Sequence, residues 1–427
     1  MKVFDLEANS YTDIMNIIQS YARVDDELEV SVEKILRDVR NRGDQALFDY
    51  TRSFDNFELT ENNIRVSKEE VNEAYGKVDK GDLKALKTLR DNIEKVETKA
   101  LRRLKIGFNL NGIRITQEVR PLDSVGCYVP GGKASYPSTL LMTVVPAKVA
   151  NVKRVVVVSP PNKVTPELLV AADIAQVDEV YRVGGAQAIA ALAYGTKSIS
   201  PVQKIIGPGN QYVTIAKRIV SSDVEIDMLA GPTEILIFAD NDADPKEVAL
   251  DLISQAEHGP DSVCGVVTQS RRLADMVIKE VTKLCKNVER GDIVLRVMGE
   301  RAFVIVTKNT NEALNFVNNF APEHLEVLSS EPEKILSKVS NAGVIIVNSP
   351  SVVTDYYSGV NHVLPTSCNA ETRGGLTVLD YVKVIRTVYA SKQSMAKAFL
   401  TIKKLALLEG LPNHLKAVEY RVEKNVA

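Results

Sequence analysis

The 427-residue sequence predicts an α/β protein built from two doubly wound parallel sheets, with one domain inserted in the other. From about residue 121 onward, short runs of β-branched residues alternate with helical patterns, and two such series follow each other. Before them, residues 28–105 carry charged helical patterns whose apolar residues recur three and four apart. Alternation of this kind is typical of Rossmann-like domains, in which helices cover both faces of a parallel sheet.

We expect four parts along the chain. Residues 1–25 form an N-terminal arm with one short helix. Residues 26–120 and 235–375 together form the first α/β domain, and residues 121–234 form the inserted second domain. Residues 376–427 form a helical tail outside the sheets, and a tail of this kind is suited to packing on a partner subunit.

The individual elements follow from the same patterns. Two amphipathic helices are predicted in the charged segments VEKILRDVRNRGDQALFDYTRSF and DLKALKTLRDNIEKVETKAL. In the inserted domain, the predicted strands and helices are RVVVVSPP, PELLVAADIAQ, EVYRVGG, AQAIAALAYG, KIIGPGN and QYVTIAKRIV. In the second series, they are EILIFAD, PKEVALDLISQAEH, VCGVVTQS, RLADMVIKEVTKLC, FVIVTK, HLEVLSS and AGVIIVNS. The tail is predicted as two helices, KQSMAKAFLTIKKLALLEG and HLKAVEYRVEK.

Composition and charge argue against several classes of function. The formal net charge is −2, so neither nucleic acid nor an acidic membrane is favoured as a partner. No run reaches the ~18 apolar residues that a membrane span needs, and the first residues, MKVFDLEANSYTDIM, lack the apolar stretch of a signal peptide. The four cysteines are scattered without a C-x-x-C pair, which predicts a cytoplasmic protein with neither a disulfide framework nor a thiolate zinc site.

The four histidines are the first candidates for chemistry, since each lies in a polar motif. They are His258 in QAEHGPD, His324 in APEHLE, His362 in SGVNHVLPT and His414 in GLPNHLKAVEYRV. Histidine titrates near neutral pH and is the commonest metal ligand, so this usage indicates an active site. On spacing alone, four ordinary hydrogen-bonded histidines remain the alternative.

The helix that holds His258 is well marked in the sequence. Asp244 suits its N-cap, Pro245 its first position, and Glu247 completes a variant of the capping box. Gln255 and His258 stand three apart, so both project from one side of the last turn, where they could share a metal ion. A capped helix end with satisfied polar groups is the alternative interpretation.

The adjacent pair Glu323–His324 stands at the entry to a strand. Such a pair offers two proton acceptors of different strength: an imidazole suited to general-base work near pH 7, and a carboxylate that can activate water. A surface loop before an edge strand is the alternative. Another polar loop, SPSVVTDYYSGVNHVLPT, follows a later strand, where open α/β sheets place ligands. Its Asp355 could bind metal and its His362 substrate.

Three glycine-rich segments indicate a phosphate-binding or nucleotide-binding site, although none is a G-x-G-x-x-G motif. They are GCYVPGGK, VGGAQA and IGPGNQY, in which Gly131, Gly132, Gly185 and Gly209 would allow close approach of the backbone to an anion. Glycine-rich turns of any α/β domain look similar. Cys127, in the first segment, suggests a thioester mechanism, but no histidine is near it in sequence, and a half-buried structural cysteine is the simpler interpretation.

Nine motifs taken together resemble those of the histidinol dehydrogenase family, in order along nearly the whole chain. They are GCYVPGG, PSTLLM, GGAQAIAALAYGT, KIIGPGN, IDMLAGPTE, SQAEHGPDS, APEHLE, DYYSGVNHVLPT and EGLPNHLKAV. The resemblance implies oxidation of L-histidinol to L-histidine with two NAD⁺, through a bound histidinaldehyde, as the last step of histidine biosynthesis. It implies that residues 121–234 bind NAD and that the other α/β domain carries the catalytic and metal residues.

The resemblance also implies roles for individual residues. Gln255, His258, Asp355 and His414 would bind zinc, for which manganese or cobalt could substitute, and the same four residues would contact the substrate. His324 would be the general base and Glu323 would activate water. Further substrate contacts would come from Thr233, His324, His362 and Glu409, and NAD contacts from Tyr128, Gln187 and Asn210. The tail would be exchanged in a homodimer, so that His414 and Glu409 serve the other subunit.

Two residues depart from the family pattern. Ser351 stands where glutamate is frequent, and Thr354 stands where glycine is usual. In the family, that glutamate is expected to help hold the substrate amine, so its absence here is expected to affect the affinity for histidinol. Two alternatives therefore stay open: a related dehydrogenase of another amino alcohol, and a non-catalytic zinc- and metabolite-binding homologue.

Overall fold

A computed structural model describes residues 1–6, 11–19, 26–131 and 136–423. The helices are α1 (Tyr11–Gln19), α2 (Asp26–Arg42), α3 (Asp44–Asp55), α4 (Lys68–Tyr75), α5 (Lys80–Arg102), α6 (Pro137–Val149), α7 (Pro166–Ile174), α8 (Gly185–Tyr194), α9 (Gln211–Val220), α10 (Pro245–Ala256), α11 (Arg271–Leu284), α12 (Gly291–Glu300), α13 (Thr310–Phe320), α14 (Pro332–Leu336), α15 (Val352–Tyr356), α16 (Lys392–Leu408) and α17 (Pro412–Glu423). Among the described residues, no helix is both long and apolar enough to cross a membrane.

The strands form three sheets. They are β1 (Lys2–Asp5), β2 (Ile106–Leu110), β3 (Ile113–Pro121), β4 (Ser124–Tyr128), β5 (Arg154–Ser159), β6 (Glu179–Arg182), β7 (Lys204–Ile206), β8 (Glu225–Ile226), β9 (Glu234–Ala239), β10 (Val263–Thr268), β11 (Ala302–Val306), β12 (His324–Leu328), β13 (Val344–Val347) and β14 (Val382–Ala390). Two of the sheets are wholly parallel, and the third is antiparallel.

The five-stranded sheet has the order β6-β5-β4-β7-β8, so its first strand in sequence, β4, lies at the centre. Cys127 of β4 pairs with Val157 on one side and Ile206 on the other. The β5 run of four valines is buried throughout, as a strand covered on both faces requires. The chain leaves β4 toward one edge and returns to start β7 on the other side, which places a topological switch point between these two strands.

The six-stranded sheet repeats this winding in the order β1-β11-β10-β9-β12-β13. Its five strands after residue 233 are arranged like those of the first sheet, and β9 is central. Its switch point lies between β9 and β12, where His324 pairs with Ile235. The prediction of two Rossmann-like, doubly wound domains, one inserted in the other, is thereby confirmed.

The N-terminal segment differs from the predicted arm. Strand β1 pairs in parallel with β11, with Val3 opposite Val304. Helix α1 places Ile14 and Ile18 in the core that covers one face of the same sheet. The short KVFD strand has too few residues for a recognisable period, and its partner is some 300 residues away in the sequence, so the pattern could not reveal the pairing.

Residues 26–102 also pack differently from the predicted grouping of 26–120 with 235–375. Helix α2 shares a core with the five-stranded sheet, in which Val32 and Leu36 lie beside Val156. Helix α5 covers the other face, where Ile93 joins Val125. The amphipathic pattern predicted helices with an apolar face, but it could not show which sheet that face covers.

The antiparallel sheet, in the order β14-β3-β2, corrects the prediction of a purely helical tail. Strand β14 pairs with β3 over nine residues, from Val382 opposite Pro121 to Ala390 opposite Ile113. Helices α16 and α17 then follow as predicted. The three strands and α16 expose many large apolar side chains, including Ile106, Phe108, Leu110, Val384, Ile385, Val388, Leu400 and Leu408.

Candidate active site

A cleft of about 290 Å³ lies between the two parallel sheets. The carboxyl end of β4 and the loop after β7 form one wall, and the amino ends of β9 and β12 form the other. The cleft brings together residues predicted from distant motifs, namely Tyr128, Asn210, Thr233, His258, Glu323, His324, Asp355 and His362. The carboxyl ends of the strands of one sheet and the amino ends of the strands of the other therefore face the same cleft.

Glu323 is held firmly at the entry to β12. Its Oε2 accepts hydrogen bonds from Thr233 Oγ1 at 2.7 Å and from the backbone N of Glu234 at 2.8 Å. Thr233 Oγ1 in turn accepts a bond of 2.6 Å from Gln255 Nε2. Both bonds to Glu323 fall on Oε2, so Oε1 is the oxygen left for a ligand or a water molecule.

One ring nitrogen of His324 is hydrogen-bonded to the protein, and the other has no hydrogen-bond partner among the described residues. Its Nδ1 lies 3.1 Å from the carbonyl oxygen of Glu234, and because a carbonyl only accepts, Nδ1 carries the proton and donates. Nε2 is buried and has no hydrogen-bond partner among the described residues. The atom available for a reacting group is therefore Nε2.

The charge state of His324 depends on its acidic neighbours. Burial by itself lowers the pKa of the ring, but the Glu323 carboxylate, whose Oε2 lies 3.6 Å from Nδ1, and Asp355 outweigh it and raise the pKa to about 9. In the ligand-free protein, these acidic neighbours therefore favour the protonated form of the ring. A cation bound beside Asp355 would weaken one of these causes and favour the neutral ring.

His258 and Asp355 have the protonation states that metal ligands need. Desolvation lowers the pKa of His258, although the residue is exposed by surface area and the carboxylate of Asp355 acts in the opposite sense. Burial would raise the pKa of Asp355, but His362, His324 and His258 outweigh this and lower it below its usual range. A neutral imidazole and an ionised carboxylate thus face the cleft together near pH 7.

His362 bridges the two domains. Its Nε2 lies 3.2 Å from Thr139 Oγ1 on α6, which packs on the five-stranded sheet. Its Nδ1 is 3.5 Å from Asp355 Oδ1 but is too poorly aligned for a hydrogen bond, so this buried nitrogen has no partner in the described part of the chain. The imidazole is therefore fixed on one side and open to a ligand on the other.

Helix α10 largely follows the prediction. Asp244 caps it by accepting a hydrogen bond of 2.7 Å from the backbone N of Lys246, and Pro245 occupies the first turn. Gln255 lies in the last turn and is buried behind the cleft wall. Because its amide nitrogen donates to Thr233, its oxygen is the atom available to a cation.

The tail residues lie outside the cleft of this chain. Glu409 is exposed at the end of α16, and His414 is exposed in the first turn of α17. Within the described residues, no group of three or more His, Cys, Asp or Glu side chains is placed to hold one metal ion. The four predicted metal ligands are thus not assembled from one copy of the chain.

The predicted cofactor residues form one cluster at the carboxyl end of β4. Tyr128 accepts a hydrogen bond of 3.1 Å from the backbone N of Gly185, at the start of α8. Gln187, two residues further, is buried, and its Oε1 has no partner among the described residues. Asn210 caps α9 by accepting a bond of 3.2 Å from Val213 N.

Internal packing explains the described glycines of the predicted phosphate loops. A Cβ on Gly131 would lie 2.5 Å from Pro160 Cγ, and one on Gly209 would lie 2.3 Å from Val213 Cγ1. Gly185 has a positive φ of 65°, and its amide is already bonded to Tyr128. Gly132 lies outside the described residues. These glycines let protein segments approach each other, which sequence alone could not distinguish from approach to a ligand.

Cys127 is a buried structural residue, in agreement with the simpler interpretation. It is fully buried in β4, and its Sγ lies 3.7 Å from the carbonyl oxygen of Thr143. Burial raises the pKa of its thiol to about 12, so almost no thiolate exists at neutral pH. The thioester mechanism suggested by the sequence is therefore wrong for this position.

Several residues of the cleft escaped the sequence analysis. Ser138 and Thr139 line it from the start of α6, and their signal was two hydroxyl groups at the head of an otherwise apolar helix. Glu234, the first residue of β9, does not line the cleft but is buried beside Glu323, and burial raises its pKa to about 8. Glu234 had no distinguishing signal, because a single acid before an apolar strand is typical of a solvated turn.

Comparison with known proteins identifies relatives over nearly the full length. A protein-family model described as histidinol dehydrogenase matches residues 19–422. Histidinol dehydrogenase of Heliobacterium mobile is 45% identical over 417 residues, which are 96% of this chain and 98% of that protein. Histidinol dehydrogenase of Listeria innocua is 43% identical and covers 93% and 94%. The crystal structure of histidinol dehydrogenase from Elizabethkingia anophelis superposes with a TM-score of 0.94 at 33% identity, covering 100% of this chain and 99% of that one.

Proposed function

The chain belongs to the histidinol dehydrogenase family, and from that premise we propose that it oxidises L-histidinol to L-histidine in two successive NAD⁺-dependent steps, through histidinaldehyde. The observation that supports this most directly is the Glu323–His324 pair at the interface of the two sheets. It offers a water-activating carboxylate and a proton acceptor opposite the carboxyl edge of a Rossmann-like sheet, where dinucleotides bind.

In the first step, His324 Nε2 takes the proton of the substrate hydroxyl while the carbinol carbon loses a hydride. NAD⁺ supplies the oxidising power, accepting one hydride in each of the two steps. The unpartnered Nε2 supports this role, because it is the nitrogen not bonded to the carbonyl of Glu234. The products of the step are the aldehyde, NADH and a proton held on His324.

In the second step, Glu323 Oε1 takes a proton from a water molecule as its oxygen attacks the aldehyde carbon. His324 returns its proton to the aldehyde oxygen, which completes the hydrate and leaves the ring neutral. The hydrate then passes a hydride to the second NAD⁺ while His324 Nε2 takes a hydroxyl proton, which leaves the carboxylic acid. Glu323 and His324 finally release their protons to solvent. Thr233 and Glu234 keep Glu323 Oε2 occupied and thereby hold the other oxygen toward the cleft. One carboxylate and one imidazole can therefore serve both oxidations.

The proposed zinc ligands are Gln255, His258, Asp355 and His414, with manganese or cobalt as possible replacements. The donor set suits such an ion: His258 is favoured in its neutral form, Asp355 is ionised, and the amide oxygen of Gln255 is uncommitted. When bound, zinc supplies a positive charge that orients the imidazole and amine of the substrate. His362, Thr233 and Glu409 are the further proposed substrate contacts.

We propose that NAD contacts Tyr128, Gln187 and Asn210. Tyr128 and Asn210 line the cleft, and Gln187 adjoins them through Gly185, which binds the Tyr128 hydroxyl. A Cβ on Gly185 would lie 2.6 Å from Gln187 Oε1, so these groups are in close contact. The switch point between β4 and β7 is where a doubly wound sheet offers room for a nucleotide.

We further propose a homodimer in which the tails are exchanged. Leu400 and Leu408 are 73% and 83% exposed, and the β2–β3–β14 sheet adds a second apolar surface. Exposed apolar surface of this extent is characteristic of an interface. Exchange would bring His414 and Glu409 of the partner subunit to the cleft. The absence of disulfides among the described cysteines supports a cytoplasmic location.

A steady-state assay of the purified full-length protein tests this function. With L-histidinol and zinc, we expect two NADH formed for each histidinol consumed, loss of activity after chelation, and recovery on adding zinc. No NADH from metal-loaded protein would refute the proposal. A higher kcat/KM for an amino alcohol without imidazole would instead favour the related dehydrogenase, while binding without turnover would favour the non-catalytic homologue.

A further inference from the structure

A pair of acidic side chains, Glu326 and the half-buried Asp251, lies close to the elements that carry the proposed zinc ligands. Glu326 stands two residues after His324 in β12, on the same face of the strand, and is fully buried. Its Oε1 accepts a hydrogen bond of 2.5 Å from the backbone N of Ser351. Its side chain also contacts that of Asp251 within hydrogen-bonding reach.

The two partners of Glu326 belong to different elements. Asp251 lies on α10, one turn before Gln255 and two turns before His258. Ser351 is the N-cap residue of α15, one turn before Asp355. Glu326 is therefore in contact with α10, which ends two residues before His258, and with the start of α15, which carries Asp355.

The chemistry of the contact requires a shared proton. Glu326 Oε2 is buried without a donor among the described residues, and an ionised carboxylate in that position would face the carboxylate of Asp251. Burial is the main cause that raises the pKa of Glu326 to about 8 and that of Asp251 to about 6. A protonated Glu326 can donate to Asp251 while it accepts from Ser351, and every buried oxygen in the contact then has a role.

We propose that Glu326 is a positioning residue that links α10 to the start of α15 and so fixes the spacing of the cation-binding residues Gln255, His258 and Asp355. This inference rests on the proposed function, since those three residues are proposed ligands. Glu326 itself does not reach the cleft and has no role in either oxidation step. Its effect is transmitted by the two helices that it joins.

The test compares three variants of the full-length protein by their affinity for zinc, measured by competition with a chromophoric chelator. Glu326→Gln keeps both bonds, because its amide donates to Asp251 and its oxygen accepts from Ser351, and we expect affinity within about threefold of wild type. Glu326→Leu removes both bonds while keeping an apolar filling, and we expect a loss of about 10–100-fold. Glu333→Leu, at an exposed position on α14 outside the contact, is the matched control, with no change in zinc affinity expected.

A purely structural role predicts a different result. In that case Glu326→Leu would change the melting temperature while the folded fraction bound zinc as wild type does, and this outcome would overturn the proposal. A Gln variant as weak as the Leu variant would overturn it as well. If Glu326→Leu does not fold, Asp251→Leu breaks the same link from α10 and is expected to lose affinity to a similar degree.

A wild-type protein that binds no zinc would refute the proposed ligands. The role of Glu326 in joining α10 to α15 is then tested by a measurement that needs no metal. Hydrogen exchange of the amides of residues 352–356 should become faster in Glu326→Leu than in wild type and stay unchanged in Glu326→Gln. Equal exchange in all three proteins would show that Glu326 does not hold α15 in place.

Discussion

At the scale of single residues, His324 shows how one ring can be prepared for two proton transfers. The carbonyl of Glu234 fixes its tautomer, and the neighbouring Glu323 supplies the charge that stabilises its protonated form. The motif APEHLE predicted the pair itself. It could not predict the carbonyl 90 residues away, because that contact exists only once β9 and β12 are paired.

Replacing His324 with asparagine tests the base. We expect His324→Asn to lower kcat by about 10²–10⁴-fold, because both hydride steps lose their proton acceptor. Binding of histidinol should persist within a few fold, which isothermal titration of the zinc-loaded protein measures. A variant with wild-type kcat would assign the proton transfer to another group.

Glu323→Gln separates the two oxidations. The amide cannot accept the proton of water, so hydration of the aldehyde should slow by about 10²-fold or more, while oxidation of the alcohol continues. Trapping with semicarbazide should then reveal histidinaldehyde, and NADH formed per histidinol should fall from two toward one. Thr233→Val is the companion variant, expected to show a weaker form of the same defect. Equal slowing of both steps would argue against a role specific to water.

At the scale of elements, a buried ion pair holds the loop that follows β7. Lys217 Nζ donates to the carbonyl of Gly207 at 2.9 Å and to Asp227, and Asp227 Oδ2 accepts from Gly207 N at 2.7 Å. Gly207 has a φ of 116°, and a Cβ there would lie 2.2 Å from the carbonyl oxygen of Tyr128. Gly207, the first glycine of IGPGNQY, is thus required because a side chain there would collide with β4.

Breaking this pair should cost stability. Lys217→Met leaves Asp227 buried without its cation, and we expect the free energy of unfolding to fall by about 3–5 kcal/mol, with a higher KM for NAD⁺. Lys197→Met is the control, because it breaks an exposed pair with Glu61 and should leave the free energy of unfolding almost unchanged. Urea denaturation measures the free energy of unfolding of both variants, and steady-state kinetics measures the KM for NAD⁺ of Lys217→Met. Similar losses of stability in the two variants would contradict this account.

The contact of α5 with the turn before β14 introduces a dependence on pH. Glu97 is 2% exposed, its Oε2 accepts a bond of 2.7 Å from Val378 N, and burial raises its pKa from 4.5 to about 7. The folded state therefore binds more protons than the unfolded state, so stability is greatest below the unfolded pKa and falls as pH rises through about 7.

Glu97→Gln should remove this dependence. Between pH 5 and 8, we expect the free energy of unfolding of wild type to fall by about 2 kcal/mol more than that of the variant. Denaturation at a series of pH values measures the difference. Glu94→Gln, on the exposed side of α5, should follow wild type within about 0.5 kcal/mol. Parallel curves for wild type and Glu97→Gln would show that Glu97 is not the source.

The strands and helices of the two doubly wound sheets could be predicted, because each buried strand is a short β-branched run and each helix has its own apolar period. Which of the two sheets α2–α5 cover could not be predicted, since Val32 or Ile93 would suit either core. Strand β14 was missed because the sequence near it is followed by two strong helices, and its partner β3 is more than 260 residues away.

At the scale of the whole molecule, the cleft of one chain lacks the residues that the tail carries. His414 and Glu409 are exposed at the end of a helical pair whose outer leucines are also exposed. The sequence predicted both residues as part of the site but could not show where the tail lies. A symmetric exchange of tails would bury the exposed apolar surface and would also bring His414 to the cleft of the other subunit.

Mixing two inactive variants tests the exchange. In a hybrid of His414→Ala with His324→Asn, the first chain supplies an intact cleft and the second an intact tail, so one of the two sites should work. After joint unfolding and refolding in equal amounts, activity should return to about a quarter of wild type, as random pairing predicts. Each variant refolded alone stays inactive, and a mixture that also stays inactive would place each tail at its own cleft.

The pairing of β1 with β11 has a further consequence for how the chain is made. Residues 2–5 are synthesised before the five-stranded sheet, yet their partners at residues 303–306 follow only after some 300 more residues have been added. The five-stranded sheet and its covering helices lie entirely within that interval and can fold as a unit during translation. Strand β1 is therefore made before the five-stranded sheet but can pair with β11 only after that sheet has been synthesised.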